Sequence, residues 1–327
     1  MDFKLRIHCD TYNHSAFIEN AMNGFVLQKT DSPFVAVIFD DASTDSTQDV
    51  ILTYLHNNFK VDRDSEYYER DEEYAKIYFA QHKENENCFF AVYLSKYNHY
   101  SIKKDREPYF EEWAADYVAL CEGDDYWTDP YKLQNQVDFL EANPDYSMCF
   151  HNAEFLYDCP SNLEHFLVED RDYEAPELFE HWVVPTASIL IKRDSFDIIC
   201  NPRLLNGDIY VVLSAATSGK VRGISAYMSV YRIHENGVTV NRHKQDELDL
   251  QRKYVDHYRF IYEQFPQITR RKLKSKLSST YYNLGWIYWQ RQQPVHSLFS
   301  FAKSFSQSPL QFARHAKQYI GAKFAKK

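Results

Sequence analysis

The sequence predicts an α/β fold, a mostly parallel sheet flanked by helices, followed by an all-helical C-terminal extension. Three observations predict it. Two strand–acidic turn–helix units stand in succession: residues 5–9 run into Asp10-Thr11-Tyr12-Asn13, and residues 34–39 into Asp40-Asp41-Ala42-Ser43-Thr44-Asp45. That alternation builds parallel sheets. A further apolar run, residues 117–121, breaks off in Glu122-Gly123-Asp124-Asp125, and strand carboxyl ends are where open α/β sheets bind ligands. From Asp246 onward the pattern is helical, and residues 264–327 carry twelve Lys or Arg with no Asp or Glu.

The elements follow in order. Residues 15–28 place Phe17, Ile18, Ala21, Met22, Phe25 and Val26 at helical spacing. Asp45-x-x-Gln48 predicts a capping box for a helix through Asn58. Residues 62–73, with seven acidic residues and two Arg, read as a solvated loop. Residues 76–80 read as a third strand, whereas residues 88–94 fit a strand or a buried helix equally. Residues 95–105 are polar and aromatic, a loop over a ligand, and residues 109–115 form a helix before the strand at 117–121.

Beyond Pro130, residues 131–141 form an amphipathic helix with Leu133, Val137 and Leu140 on one face. Residues 147–155 read as a strand and the acidic stretch to Ala175 as an insertion. Pro185-Thr186-Ala187-Ser188 leads into a β run at 189–191, and Asn206-Gly207-Asp208 opens a helix that Gly219 stops. Residues 224–231 form a strand ahead of Arg232-Ile233-His234-Glu235-Asn236-Gly237. Tyr281-Tyr282-Asn283-Leu284-Gly285-Trp286, with Ala302 and Pro309, resembles one tetratricopeptide-like hairpin. One such unit makes a helical cap rather than an array.

Composition narrows the function classes. The 327 residues bury ample core for one large domain or two smaller ones. No stretch approaches the ~18 apolar residues of a spanning helix. Aromatics at 17%, including 26 Tyr, suit sugar-stacking surfaces and a Tyr-rich core alike. Cys9, Cys88, Cys121, Cys149, Cys159 and Cys200 form no Cys-x-x-Cys pair, so reduced thiols and a cytoplasmic setting are expected. The first residues lead into a strand pattern rather than a signal peptide. A net charge of −10 hides an asymmetry, because residues 1–263 hold 25 basic against 47 acidic residues. That acidic half disfavours nucleic-acid binding.

The chemistry gathers at three acidic positions, Asp40/Asp41, Asp124/Asp125 and Asp208, each at a strand end or helix start. Clustered carboxylates repel and cost desolvation unless a cation sits among them. Mg²⁺ is held by one or two carboxylates plus substrate phosphates, and Mn²⁺ suits similar ligands. Either cation with a nucleotide diphosphate fits this pattern. The chain has no Gly-x-x-x-x-Gly-Lys-Ser/Thr loop and no Gly-x-Gly-x-x-Gly, which disfavours P-loop and dinucleotide-binding readings.

Thr11-Tyr12-Asn13, Phe39-Asp40-Asp41-Ala42-Ser43-Thr44-Asp45 and Cys121-Glu122-Gly123-Asp124-Asp125-Tyr126-Trp127, in that order, resemble a family 2 glycosyltransferase. The likeness is to the bacterial branch that builds surface polysaccharides, and it runs from about residue 4 to 240. It implies a GT-A fold, with a nucleotide-sugar half over 1–130, an acceptor half over 131–240 and a basic helical extension over 241–327. By this resemblance Thr11 and Tyr12 match the loop packing on the nucleoside, and Asp40 and Asp41 the pair that meets the uracil. Asp124 and Asp125 match the Asp-x-Asp-type motif, the first nearer the ribose and the second ligating the metal. Glu122-Gly123 is a variant of that motif, and it leaves Glu122 without a role.

Asp208 matches the catalytic base, or else simply caps its helix. His234 matches a segment closing over the donor diphosphate, where an imidazole ligates the metal and Arg232 neutralises phosphate charge. Trp127, His151, Asn152, Thr186 and Ser188 fall where the family forms acceptor walls. The implied reaction is inverting transfer of a sugar from a UDP-hexose or UDP-N-acetylhexosamine to a glycan or lipid-linked hydroxyl. Asp208 takes the acceptor proton, and no covalent enzyme intermediate forms. The alternatives are a nucleotidyltransferase, which would carry a glycine-rich basic phosphate loop, and a non-catalytic carbohydrate-binding protein of the same fold.

In the tail, Arg314, Lys317, Lys323, Lys326 and Lys327 alternate with Phe312, Ile320 and Phe324. A basic amphipathic helix of this kind lies on an anionic membrane, here the inner face of the cell membrane, or packs back as a cap or oligomer contact.

Overall fold

In chain order the structure begins β1 (Phe3–Thr11), α1 (Ile18–Val26), β2 (Phe34–Asp40), α2 (Thr47–Asn58), β3 (Tyr68–Asp71), β4 (Ala75–Gln81) and β5 (Cys88–Ser95). It continues α3 (His99–Ile102), α4 (Glu107–Glu111), β6 (Ala115–Leu120), β7 (Tyr126–Trp127), α5 (Lys132–Ala142), β8 (Tyr146–Tyr157) and β9 (Asp172–Tyr173). Then come α6 (Ala175–Glu180), β10 (Leu190–Lys192), α7 (Asp208–Ser218) and β11 (Lys220–Ile233). The chain closes with α8 (Glu247–Gln264), α9 (Pro266–Gln290), α10 (Pro294–Gln307) and α11 (Pro309–Phe324). This computed structural model describes residues 2–62, 64–102, 104, 106–159, 166–238, 240 and 245–324. It divides into two units: Met1–Glu174, Val183–Cys200 and Ser214–His234 form the first, and Ala175–Trp182, Asn201–Leu213 and Glu235–Lys327 the second.

The strands of the first unit form one sheet in the order β3-β4-β5-β2-β1-β6-β10-β8-β11-β7, with β9 pairing β11. β5, β2, β1 and β6 are parallel neighbours, whereas β4 and β10 run antiparallel to theirs. Parallel strands covered on both faces read as unbroken apolar runs, and every residue of β2 and β5 is buried. Alternation along β2 sends Phe34, Ala36 and Ile38 to one core, and Val35, Val37 and Phe39 to the other. The first core is closed by Ile18, Met22 and Phe25 of α1, Leu55 of α2 and Leu133 and Leu140 of α5. The second is closed by Phe110 and Trp113. Each fully buried Phe in these layers contributes on the order of 2–3 kcal/mol.

Several expectations change here. Residues 88–94 are a strand, because β5 lies between β2 and β4. The acidic stretch 62–73 is not all loop: Tyr68–Asp71 pairs antiparallel with β4 as an edge strand, which tolerates charge on its open side. A short helix, α3, interrupts 95–105. The capping box does not form, because Gln48 turns its Nε2 to Asp40 Oδ2 at 2.6 Å. Asp45 alone accepts from Thr47 N, at 2.9 Å. Gly219 does end α7, but not through a left-handed cap, since no glycine has positive φ among the described residues. A Cβ there would stand 2.9 Å from Asp145 O and Ser147 N, so close backbone approach selects the glycine.

The second unit is helical. Leu248, Val255, Leu273, Leu277, Tyr281, Leu284, Ile287 and Tyr288 form its core between α8 and α9. Asp246 caps α8 by accepting from Asp249 N at 3.2 Å. Pro266, Pro294 and Pro309 each stand at the start of a helix, where proline forfeits no hydrogen bond. Arg203 grips Glu263 through both guanidinium nitrogens at 2.7 and 2.9 Å, and Lys272 pairs with Glu180 of α6.

Candidate active site

β1, β2 and β6 are parallel, so their carboxyl ends share one sheet edge. Thr11 stands in register with Asp40. The acidic turn is drawn against the end of β1, where Gly123 N donates to Asp10 O at 2.9 Å. Glycine permits that approach, because a Cβ at Gly123 would lie 2.5 Å from Thr11 Oγ1 and 2.7 Å from Thr11 Cβ. Asn13 ties the first turn to the second in a left-handed conformation, φ 55°, which asparagine tolerates. Its Oδ1 accepts from Thr44 N at 2.7 Å and Asp45 N at 3.3 Å, and its own N–H donates to Ser43 Oγ at 2.8 Å.

This tether leaves His14 at the mouth of the turn, with its N–H on Thr47 Oγ1 at 2.9 Å and Nδ1 3.2 Å from Thr11 Oγ1. Its Nε2 faces Asp124 Oδ2 at 3.8 Å, and Nε2 of His234 lies 3.0 Å from the same oxygen. The three ligand atoms lie within 4.8 Å of one another. Ligands in adjacent positions on an octahedral cation with ~2.1 Å bonds stand about 3.0 Å apart. The Asp124–His234 pair has that spacing, and His14 at 3.8 Å stands wider. One carboxylate with two imidazoles is a donor set that suits a divalent transition ion. Burial disfavours charge on Asp124, but the His234 hydrogen bond and the nearby His14 outweigh it and hold the carboxyl below its ordinary range. Burial likewise draws His14 below the usual imidazole value, toward the neutral form that binds metal.

The structure therefore groups Asp124 with His234, where the sequence reading expected Asp125. Asp125 is 1% exposed and its Oδ1 accepts from Arg232 N at 2.8 Å. Arg232 is stitched to the same turn, donating through Nε to Asp124 O at 3.1 Å and through Nη1 to Asp158 Oδ2 at 2.9 Å. Its guanidinium also lies 4.7 Å over the Phe17 ring. Asp125 and Arg232 thus lock the acidic turn to the end of β11.

Asp40 and Asp41 are both buried and both engaged locally. Asp40 accepts from Ser43 N at 3.0 Å, from the Ser43 hydroxyl and from Gln48, and burial raises its pKa. Asp41 caps α3, accepting from His99 N at 2.6 Å and Tyr100 N at 3.0 Å. Thr11 is buried beside them, whereas the Tyr12 ring is 43% exposed at the same edge.

Of the five acceptor-wall candidates, four are buried. Trp127 is buried, with Nε1 donating to Ala187 O at 2.7 Å. His151 is fully buried, and burial pushes its pKa down to about 3. Asn152 locks Val168 through paired bonds at 2.6 and 2.9 Å, and Ser188 donates to Pro185 O at 2.6 Å. Thr186 opens the 3₁₀ turn Thr186–Ser188 and is half-buried. Asp208 is the first residue of α7, as expected, and belongs to the second unit.

Sequence reasoning passed over His14 and gave Asp10 and Asn13 no role of their own. The available signal was their run, Asp10-Thr11-Tyr12-Asn13-His14, at a strand end. Asp10 Oδ2 meets Arg106 at 3.1 Å and His8 at 3.5 Å. Burial opposes its ionisation, and Arg106 reverses that to keep its pKa low.

No family model matches the chain. It is 30% identical over 231 residues to the uncharacterized protein Rv1520 of Mycobacterium tuberculosis, covering 70% of this chain. The chain spans only 58% of that relative's length. It is 21% identical over 236 residues to the putative teichuronic acid biosynthesis glycosyltransferase TuaG of Bacillus subtilis, covering 72% of this chain and 81% of TuaG. Among solved structures, the mannosyltransferase PcManGT from Pyrobaculum calidifontis, in complex with GDP-Man and Mn²⁺, superposes with a TM-score of 0.54 at 12% identity. That match covers 100% of this chain and 81% of PcManGT. S. aureus TarS 1-349 in complex with UDP-GlcNAc gives 0.51 at 12% identity, over 96% of this chain and 92% of TarS 1-349. The chain has the GT-A glycosyltransferase fold.

Proposed function

We propose that the chain is a metal-dependent, inverting glycosyltransferase that moves a sugar from a nucleotide sugar to a hydroxyl of a glycan or lipid-linked acceptor. One observation carries this reading: Asp124, His14 and His234 converge at the carboxyl edge of a GT-A sheet, beside the turns that end β1 and β2. A UDP-hexose or UDP-N-acetylhexosamine is the proposed donor. The likeness to TarS crystallised with UDP-GlcNAc supports that choice.

Asp124, His14 and His234 are the proposed ligands of Mn²⁺, a set whose two imidazoles suit a transition ion better than Mg²⁺ and that revises the expected Asp125–His234 pair. Bound there, the cation would neutralise charge on the nucleotide diphosphate. Arg232, held against the acidic turn, adds positive charge on the diphosphate side. Tyr12 offers its exposed ring to the base, and Asp40 and Asp41 shape the nucleoside turn. Asp208 is the proposed base, taking the proton of the acceptor hydroxyl as its oxygen attacks the anomeric carbon. Residues 1–240 are the proposed catalytic part, 131–240 serving the acceptor.

Thermal shift with UDP-Glc, UDP-Gal and their N-acetyl forms tests donor binding. A rise in Tm with one donor that requires Mn²⁺ supports the reading, and no shift with any donor refutes it.

A further inference from the structure

Helix α10 presents its apolar face to solvent. At about 100° per residue, Val295, Leu298, Phe299, Ala302 and Phe305 share an arc of about 120°, and Ser297, Ser300 and Ser304 lie opposite. The serines are buried, while Val295 is 77%, Leu298 73%, Phe299 61% and Phe305 54% exposed. A surface helix of a soluble protein ordinarily turns the other way.

The orientation is fixed by hydrogen bonds to α9. Ser297 Oγ donates to Gly285 O at 2.8 Å, and Ser304 Oγ to Ser278 O at 2.7 Å. Serine is small enough to let the two backbones approach, and it satisfies its hydroxyl on the neighbour. Trp289 at the end of α9 and Leu310 at the start of α11 are 60% and 66% exposed, so the neighbouring helix ends add apolar surface. Several exposed apolar side chains gathered on one helix face mark an interaction site.

Charge selects the occupant. Residues 264–327 carry twelve Lys or Arg and no acidic residue. Lys303 Nζ sits 4.5 Å over the Phe299 ring, beside the apolar arc, and Arg314 and Lys317 are exposed on α11. A second copy docking through the same face would set two basic surfaces against each other, whereas an anionic lipid surface complements both the charge and the apolar arc. Among the described residues no helix is long and apolar enough to cross a membrane, which suits a helix lying in the interface.

Phe312 packs on Tyr282 and Phe305, at ring distances of 5.4 and 5.7 Å. Lys326 and Lys327, and the side chains of Ile320, Lys323 and Phe324, lie outside the described residues.

We propose that α10, with Trp289 and Leu310, docks the protein on anionic phospholipid. The proposal is independent of sugar transfer, and vesicle binding reads it without any activity. The full chain should sediment with phosphatidylcholine vesicles containing phosphatidylglycerol and bind pure phosphatidylcholine weakly. Binding should fall at least about tenfold in Leu298→Ser/Phe299→Ser/Phe305→Ser, and severalfold in Arg314→Glu/Lys317→Glu. Absence of binding to the anionic vesicles overturns the proposal, as does undiminished binding by the triple variant. A triple variant that only dissociates an oligomer in light scattering points instead to a second copy, and also overturns it. If the triple variant fails to fold, brominated phosphatidylglycerol should quench the wild-type fluorescence more than that of Trp289→Phe. Equal quenching contradicts docking.

Discussion

Nε2 of His234 lies 3.0 Å from Oδ2 of Asp124, although 110 residues separate them in the chain. The contact joins the end of β11 to the turn after β6. It also turns that carboxylate toward His14 rather than into the core, where Asp125 is held by the backbone of Arg232. Asp125 thus builds the turn, and the proposed cation site falls to Asp124.

Metal affinity separates these roles. Asp124→Asn is expected to abolish Mn²⁺ binding, and His14→Ala and His234→Ala to weaken it by at least about tenfold, since loss of even an outer-shell partner costs that much. Asp125→Asn should lower the melting temperature more than Asp124→Asn does. Electron paramagnetic resonance of free Mn²⁺ and thermal melts read the two effects separately.

Gly123→Ala places a methyl against Thr11, where 2.5 Å separates the new Cβ from Oγ1. Overpacking of this kind costs about 1–3 kcal/mol. Urea unfolding should show that loss, and the displaced turn should bind Mn²⁺ more weakly than the wild type.

Lys132 supplies a pH test. It is fully buried over the Trp127 ring at 3.9 Å, and burial lowers its pKa from 10.5 to about 7. Cys121 and Cys149 favour its charge, and it in turn disfavours charge on His151. Between those two values the unfolded chain binds the proton more tightly than the folded one, so this group makes stability rise with pH from about 7 toward 10.5. Lys132→Met should flatten that slope in urea unfolding at pH 7 to 9.5 (roughly the lower part of the window). A parallel slope in the variant rules the assignment out.

For Asp208→Asn, turnover should drop by about 10²–10⁴-fold, the usual worth of a general base. Donor binding in the presence of Mn²⁺ should be retained. Parallel calorimetry and nucleotide-release assays distinguish this from a folding defect, in which both would fall.

The strand–turn–helix units were legible because β2 is an unbroken apolar run up to Asp40, and β1, with Leu5, Ile7 and Cys9 alternating with Arg6 and His8, likewise stops at an acidic turn. β3 was not legible, because Tyr68-Glu69-Arg70-Asp71 is a charged edge with little apolar content. The acidic turn was visible as an electrostatic anomaly, but the aim of each carboxylate depends on Arg232 and His234, more than a hundred residues later. His14 had only its neighbours in sequence to recommend it. Trp127, His151, Asn152 and Ser188 are polar or aromatic residues that the fold buries, and local sequence does not separate a satisfied interior group from a site wall.

The most direct test of sugar transfer by this chain is nucleotide diphosphate release from a panel of UDP- and GDP-sugars, with Mn²⁺ or with EDTA. Release is expected from at least one donor, abolished by EDTA, restored by Mn²⁺ and absent in Asp124→Asn. Release that persists in EDTA, or that Asp124→Asn supports as well as the wild type, would contradict that expectation.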